Sequence, residues 1–209
     1  MPIIECFPSG PFETNAYILA CSETRKGVFI DPSPGSYEKL LDGAAAIKME
    51  AVLLTHSHWD HIGDLKKVKG NFGIPVYVHP ADRGNVEKPG SDGLPLMFLI
   101  EGSVAEFELK EGQVIDVGHL QLRVIETPGH TPGGVCFYLE KEKILFAGDT
   151  LFKGSIGNLS LPKATPSAMW TSLDKLAKLP PETVVYSGHG PATTIGDEDW
   201  LPKAREMFS

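Results

Sequence analysis

Four apolar runs in this chain each end on residue types that bind metals, and any fold the chain adopts has to account for that repetition. Ala51-Val52-Leu53-Leu54 runs into Thr55-His56-Ser57-His58-Trp59-Asp60-His61, which packs three imidazoles and a carboxylate into six residues. Val124-Ile125-Glu126 leads to His130, Ile144-Leu145-Phe146-Ala147-Gly148 to Asp149, and Val184-Val185-Tyr186 to His189. Taken singly, a Gly-Asp or Gly-His after a strand is an ordinary turn. Four such ends in one chain predict strands that deliver His and Asp side chains to a common edge.

The first run is short and apolar enough for a buried strand, while Ile62, Leu65 and Val68 then recur at helical spacing. The polar residues between them sit on a strand-to-helix turn. Side chains alternate at a strand end, so His56 and His58 can face one cavity, while Asp60 and His61 open the helix and approach from another side. That geometry suits two metals better than one. Imidazole nitrogens and carboxylate oxygens with one coordination position left to water make a catalytic type of site, whereas structural sites are more often closed by cysteines.

Elsewhere the pattern alternates strands with helices. Residues 3–7, 15–21 and 27–31 read as consecutive strands. Ser36 is placed to cap a helix carrying Leu40, Leu41, Ala44, Ala45 and Ile47. Residues 75–79 form another strand, and 85–96, with Pro89, Gly90, Gly93 and Pro95, a loop that is a candidate mobile wall. Residues 113–117 and 120–126 flank the turn Gly118-His119, so His119 reads as a hairpin residue and not a ligand; His79 is read the same way. Residues 135–139 and 143–147 form a second hairpin around Glu140-Lys141-Glu142. Thr165-Pro166 opens a helix with Trp170, Leu173, Leu176 and Ala177 on its core face. A strand over 183–186 delivers His189, and 197–208 closes the chain as a short helix interrupted by Pro202. This order supports two β-layers between helices, with the candidate ligands on loops at one edge.

A chain of 209 residues, 42% hydrophobic, can bury a core and is expected to form one domain, 1–209. Its net charge of −8 gives no electrostatic reason to expect a nucleic-acid partner. Lys66, Lys67 and Lys69 read as a solvated helix face. Cys6, Cys21 and Cys136 have no paired spacing and read as reduced core residues. The N-terminus has neither a secretory pattern nor a membrane span, so a cytoplasmic protein acting on a small molecule is expected; oligomeric state is not legible.

With these motifs the chain resembles the metallo-β-lactamase-fold hydrolases, and among them the compact proteins similar to glyoxalase II. The resemblance runs from Gly10-Pro11-Phe12-Glu13-Thr14-Asn15-Ala16-Tyr17 through Phe29-Ile30-Asp31-Pro32 to His189. It implies an α+β fold, a four-layer αββα sandwich. It also implies that His56, His58 and His130 bind one metal, that Asp60, His61 and His189 bind a second, and that Asp149 bridges them, with Asp31 as a buried support. Two divalent ions, zinc first and iron or manganese as alternatives, would then activate a bridging hydroxide. Asp60 would orient it and take its proton as a thioester such as S-lactoylglutathione is cleaved. A thiolate leaves readily, whereas an amide needs a strong general acid that the sequence does not offer.

The chain departs from that pattern after the bridging aspartate. Asn158 and Ser160 stand where larger glyoxalase II enzymes carry a Lys and a Tyr for glutathione, and Gly157-Asn158-Leu159-Ser160 occupies the place where compact relatives read Gly-Arg-Thr-Asp. Lys153 and Lys163 are the nearby cations and read as surface residues. Other chemistries on the same ligand set stay open: a mononuclear-iron persulfide dioxygenase, a lactonase or phosphodiesterase, and a metal-binding protein without turnover.

Overall fold

The computed structural model of the protein describes residues 1–208. Its strands fall into two six-stranded sheets. The first contains β1 (Pro2–Ser9), β2 (Thr14–Cys21), β3 (Lys26–Ile30), β4 (Lys48–Leu53), β5 (Val76–Val78) and β6 (Phe107–Glu108), neighbours in that order. The second contains β7 (Val114–Val117), β8 (Leu120–Glu126), β9 (Val135–Leu139), β10 (Ile144–Gly148), β11 (Val184–Ser187) and β12 (Thr193–Thr194), also neighbours in sequence order. β1–β2 and β2–β3 pair antiparallel, and β3–β4, β4–β5 and β5–β6 pair parallel. In the second sheet only β10–β11 is parallel, so β8, β10 and β11 all run the same way and release their C-terminal ends at one edge.

Parallel pairs require crossovers, and helices supply them. These are α1 (Tyr37–Gly43) between β3 and β4, α2 (Trp59–Ile62) and α3 (Leu65–Phe72) between β4 and β5, α4 (Pro80–Glu87) after β5, and α5 (Pro166–Leu176) between β10 and β11; α6 (Ala204–Phe208) ends the described chain. Boundaries follow local chemistry. Gly73 takes a left-handed φ of 62° and stops α3, while Pro80 and Pro166 start α4 and α5 near their first positions, where a missing N–H costs nothing.

The side-chain alternation of the strands divides the core into three slabs. Ala16, Ile18, Phe29, Val52 and Leu54 pack on Leu40, Ile62, Leu65 and Val68 of the helices. Tyr17, Leu19, Val28, Ile30 and Leu53 face the other way and meet Leu122, Val124, Phe137 and Phe146 between the sheets. Cys136, Tyr138, Leu145 and Val185 pack on Met169, Leu173 and Leu176 of α5. Helix, sheet, sheet, helix is the four-layer sandwich expected.

Several local expectations need correction. Cys6 is exposed because β1 is an edge strand; Cys21 and Cys136 are buried, and all three are free thiols. The helix after Ser36 ends at Gly43, with Ala45 and Ile47 in the turn beyond, and Ser36 makes no side-chain cap. Asp64 Oδ2 accepts from Tyr37 N instead, at 3.0 Å. The helix after the His-rich motif is two helices broken at Gly63-Asp64. Asn85 lies in α4, not in a loop, and β6 and β12 had too little pattern to be read. The C-terminal segment is two 3₁₀ turns, Ile195–Asp197 and Leu201–Lys203, before α6. Lys69 is not merely solvated, since it donates to Val104 O at 2.7 Å and pairs with Glu106. Among the described residues no helix is long and apolar enough to cross a membrane.

Candidate metal centre

Beyond β4 the chain bends at Thr55 and is extended again at His58, with φ −59° and ψ 146°, before turning into α2. Extended backbone alternates its side chains, so His56 and His58 share a side. Their rings lie 4.8 Å apart, and His130, carried past β8, sits 4.5 Å from His58 and 5.1 Å from His56. Ligating atoms of His56, His58 and His130 all lie within 4.8 Å of one another. Those of Asp60, His61 and His189 form a second such group. Asp149, just past β10, touches both. Its Oδ1 is 3.3 Å from His61 Nε2, and its Oδ2 is 3.4 Å from His130 Nε2 and 3.4 Å from His189 Nε2. All seven residues singled out in the sequence are thus brought together.

Four of the five imidazoles are held from behind. His61 Nδ1 pairs with Asp31 Oδ2 at 2.9 Å, His130 Nδ1 donates to Asn158 O at 3.0 Å, and His189 Nδ1 donates to Phe12 O at 3.0 Å. The Thr55 hydroxyl gives its single proton to Asp31 Oδ2, so toward His56 Nδ1, 3.1 Å away, it can only accept. All four contacts place the proton on Nδ1 and leave Nε2 turned into the cluster, which is how an outer partner prepares a histidine for a metal. Asp31 does the supporting work expected of it. It also accepts Thr55 N at 2.8 Å and adopts a left-handed φ of 49°. A third grouping of Asp31, His56 and His61 also lies within ligating distance, but its facing atoms are already spent on one another and on Thr55.

The donor set fits divalent ions. The Nε2 atoms of His56, His61 and His130 and Asp149 Oδ1 are buried without a hydrogen bond, a cost that interiors rarely leave uncompensated. Any side chain on Gly188 would collide with this donor set, its Cβ falling 2.1 Å from Asp149 Oδ1.

Charge in the cluster is divided unevenly. Burial, reinforced by His61, pushes His56 well below the usual histidine value, and burial with His130 pushes His58 down to about 3. Burial also acts downward on His61 and His189, but Asp149 and Asp60 outweigh it, holding His61 well above its ordinary value and raising His189 to about 9. Burial would raise Asp149, yet His61 and His189 keep it well below the usual carboxylate range.

Other supports are assigned no role by the sequence, because their partners lie far away along the chain. Asp82 of α4 is buried and accepts Ser57 N and Gly133 N, each at 2.8 Å, tying the two loops that carry His58 and His130. Asn85 donates to Ser57 O at 2.6 Å. On the other side, Thr14 donates to Asp60 Oδ2 at 2.9 Å, and Asn15 donates to Ser187 O and Gly190 O around His189. His79 and His119 stand apart as expected: His79 caps α4, and His119 pairs with Glu23.

The cluster forms the floor of a cavity of about 580 Å³. Phe12, Trp59, Leu94, Met97, Phe152 and Leu161 supply most of its remaining wall.

Residues 9–189 match the metallo-beta-lactamase superfamily, and the chain belongs to that superfamily. It is 36% identical to BLEG-1 B3 metallo-beta-lactamase, whose crystal structure superposes with a TM-score of 0.88 over 99% of this chain and 100% of that one. TTHA1623, crystallised in a di-iron-bound form, is 36% identical, with a TM-score of 0.78 over 95% and 96% of the two chains. Hydroxyacylglutathione hydrolase GloC of Haemophilus influenzae is 30% identical over 93% of this chain and 94% of its own. The fold implies a divalent metal pair at His/Asp clusters of this kind.

Removing Asp82 leaves two buried N–H groups without an acceptor, each worth about 1–3 kcal/mol. Asp82→Ala is therefore expected to lower stability by roughly 2–6 kcal/mol, measured by urea denaturation of the metal-free protein. A midpoint unchanged from the parent would show that the clip carries no load.

Proposed function

We propose that His56, His58 and His130 hold one divalent ion, that Asp60, His61 and His189 hold another with Asp149 between them, and that the protein uses the pair to hydrolyse an acyl-thioester. The observation that carries this reading is the convergence of His61, His130 and His189 Nε2 on Asp149, with four of the five rings fixed from behind. Bound there, two ions would supply Lewis acidity and bring the pKa of water toward neutrality. Nitrogen and oxygen donors accept zinc, iron or manganese alike; zinc is our assignment, and the di-iron form of TTHA1623 makes iron the alternative.

The protein's own groups then divide the work. Thr14 fixes Asp60 by its 2.9 Å hydrogen bond, so the carboxylate can orient an attacking water and hold its proton. The apolar wall keeps bulk water away from the scissile group. His58, Asp60, His130, Asp149 and His189 are the titratable residues lining the cavity, and all belong to the candidate ligand set. No further acid is left for a poor leaving group, which favours a thiolate over an amine. Likeness to the hydroxyacylglutathione hydrolase of Haemophilus influenzae supports the same reaction type.

Zinc-loaded protein is expected to cleave acyl-thioesters faster than β-lactams, lactones or phosphodiesters assayed in parallel. Failure on every thioester, with turnover of a β-lactam, would replace this reading with the activity that BLEG-1 is named for. Oxygen uptake by the iron form with glutathione persulfide would replace it with a dioxygenase.

Metal uptake should also release protons. At pH 7 the metal-free protein holds protons on His61 and His189, which the ions must displace, whereas His56 and His58 are already neutral. Raised histidines favour the metal-free form below their pKa, so affinity should climb as pH rises toward about 9. Calorimetry in buffers of different ionisation enthalpy is expected to give more than one proton per chain, and none would contradict the assignment. Asp149→Ala should weaken both sites together, read as metal per chain after gel filtration.

A further inference from the structure

Outside the candidate ligands, the cavity is walled by apolar side chains that hydrolysis itself does not require. Phe12, Trp59 and Phe98 form an aromatic ladder, with centroids 5.2 Å apart for the first pair and 5.4 Å for the second. Leu94 and Leu96 pack part of their surface on the core and Ile100 is buried, which pins both ends of the next stretch. Between these anchors Met97 is 62% exposed, Phe98 41% and Leu99 90%. Apolar groups held toward water beside a cavity mark a binding surface more often than chance. This wall is also built into the site, since Phe12 supplies the carbonyl that accepts from His189 Nδ1.

What the wall lacks is equally specific. Among its described residues there is no Lys or Arg. Asn158 is the polar side chain outside the ligand set, and its Oδ1 accepts Ser160 N at 2.8 Å within its own loop. Lys163 donates to Ser91 O at 2.9 Å, Lys153 is exposed, and neither lines the cavity. A substrate carboxylate entering this wall would shed water with no cation, and only the Asn158 amide N–H group, to replace it, and the chain's net charge of −8 repels it further.

We propose that this wall is a recognition site for an apolar arm of the substrate, an alkyl or aryl group attached at the scissile thioester, and that specificity does not come from the anionic groups of a glutathione-type thiol. The proposal rests on the thioester reading above for its reaction, and on the wall alone for its chemistry. An arm on the acyl side and one on the sulfur side would meet the same surface.

The test separates them. kcat/KM is measured for N-acetylcysteamine thioesters from acetyl to octanoyl, for thioacetates of lengthening alkanethiols, and for S-lactoylglutathione. Along one series the rate constant is expected to rise by about fourfold per buried methylene, with S-lactoylglutathione below the hexanoyl or hexyl member. Turnover that is flat in both series, or best with S-lactoylglutathione, overturns the proposal and leaves the thioesterase standing.

Binding gives a readout that needs no turnover. Quenching of tryptophan fluorescence by n-alkanols, assigned with Trp59→Phe, should tighten with chain length. If it does while no thioester is cleaved, the apolar site stands and the thioesterase fails; affinity independent of length overturns the site. Met97→Lys should cut the preference of the long over the short substrate at least tenfold, and an unchanged ratio would count against the proposal.

Discussion

One carboxylate, that of Asp149, faces imidazoles that reach it from three separate segments of the chain, at 3.3 to 3.4 Å. Five imidazoles and two carboxylates in a largely buried volume are costly unless each is fixed and compensated. The architecture meets that demand with pieces of both sheets. β2 supplies Thr14 and Asn15, the turn after β3 supplies Asp31, α4 supplies Asp82 and Asn85, and the loop after β10 supplies the carbonyl of Asn158. Backbone bonds from Asn15 N to Gly188 O and from Val135 N to Thr55 O, both 2.8 Å, join the sheets beside the cluster. The edge where β4, β8, β10 and β11 end is therefore also where the two halves of the sandwich are fastened.

The sequence announced the cluster because its ligands repeat one local pattern, an apolar strand followed by His or Asp at a turn. Four such ends are readable without any knowledge of tertiary structure, and their side-chain alternation also foretold that His56 and His58 would share a face. The three-slab core was legible for the same reason, since β2 and β4 are apolar on both faces. What stayed hidden depends on contacts between residues far apart in sequence. Asp82 looks like any surface aspartate near a helix start until Ser57 N and Gly133 N are placed against it. Cys6 sits in an apolar context yet is exposed, because edge position is a property of the sheet and not of the strand. β6 and β12 are two residues each and carry no period at all.

The cavity links the two levels of specificity. Its floor is polar and assembled from strand ends, with little freedom to vary without disturbing the cluster. Apart from Trp59 of α2, the apolar part of its wall comes from loop residues, Phe12, Leu94, Pro95, Met97, Phe152 and Leu161. Loops of this kind can change sequence while the strands that position the floor stay fixed. Superfamily members built on one fold can thus serve different substrates, which is consistent with relatives named for a β-lactamase and for a hydroxyacylglutathione hydrolase.

The central claim is that the seven residues hold two ions on either side of Asp149. Anomalous diffraction from crystals of the protein purified without added metal, collected across the zinc and iron edges, tests it most directly. Two peaks are predicted, one about 2.0–2.2 Å from nitrogen atoms of His56, His58 and His130 and the other at the same range from Asp60, His61 and His189, with an Asp149 oxygen reaching both. A single peak, or peaks that leave Asp149 or either histidine group uncoordinated, would contradict the account.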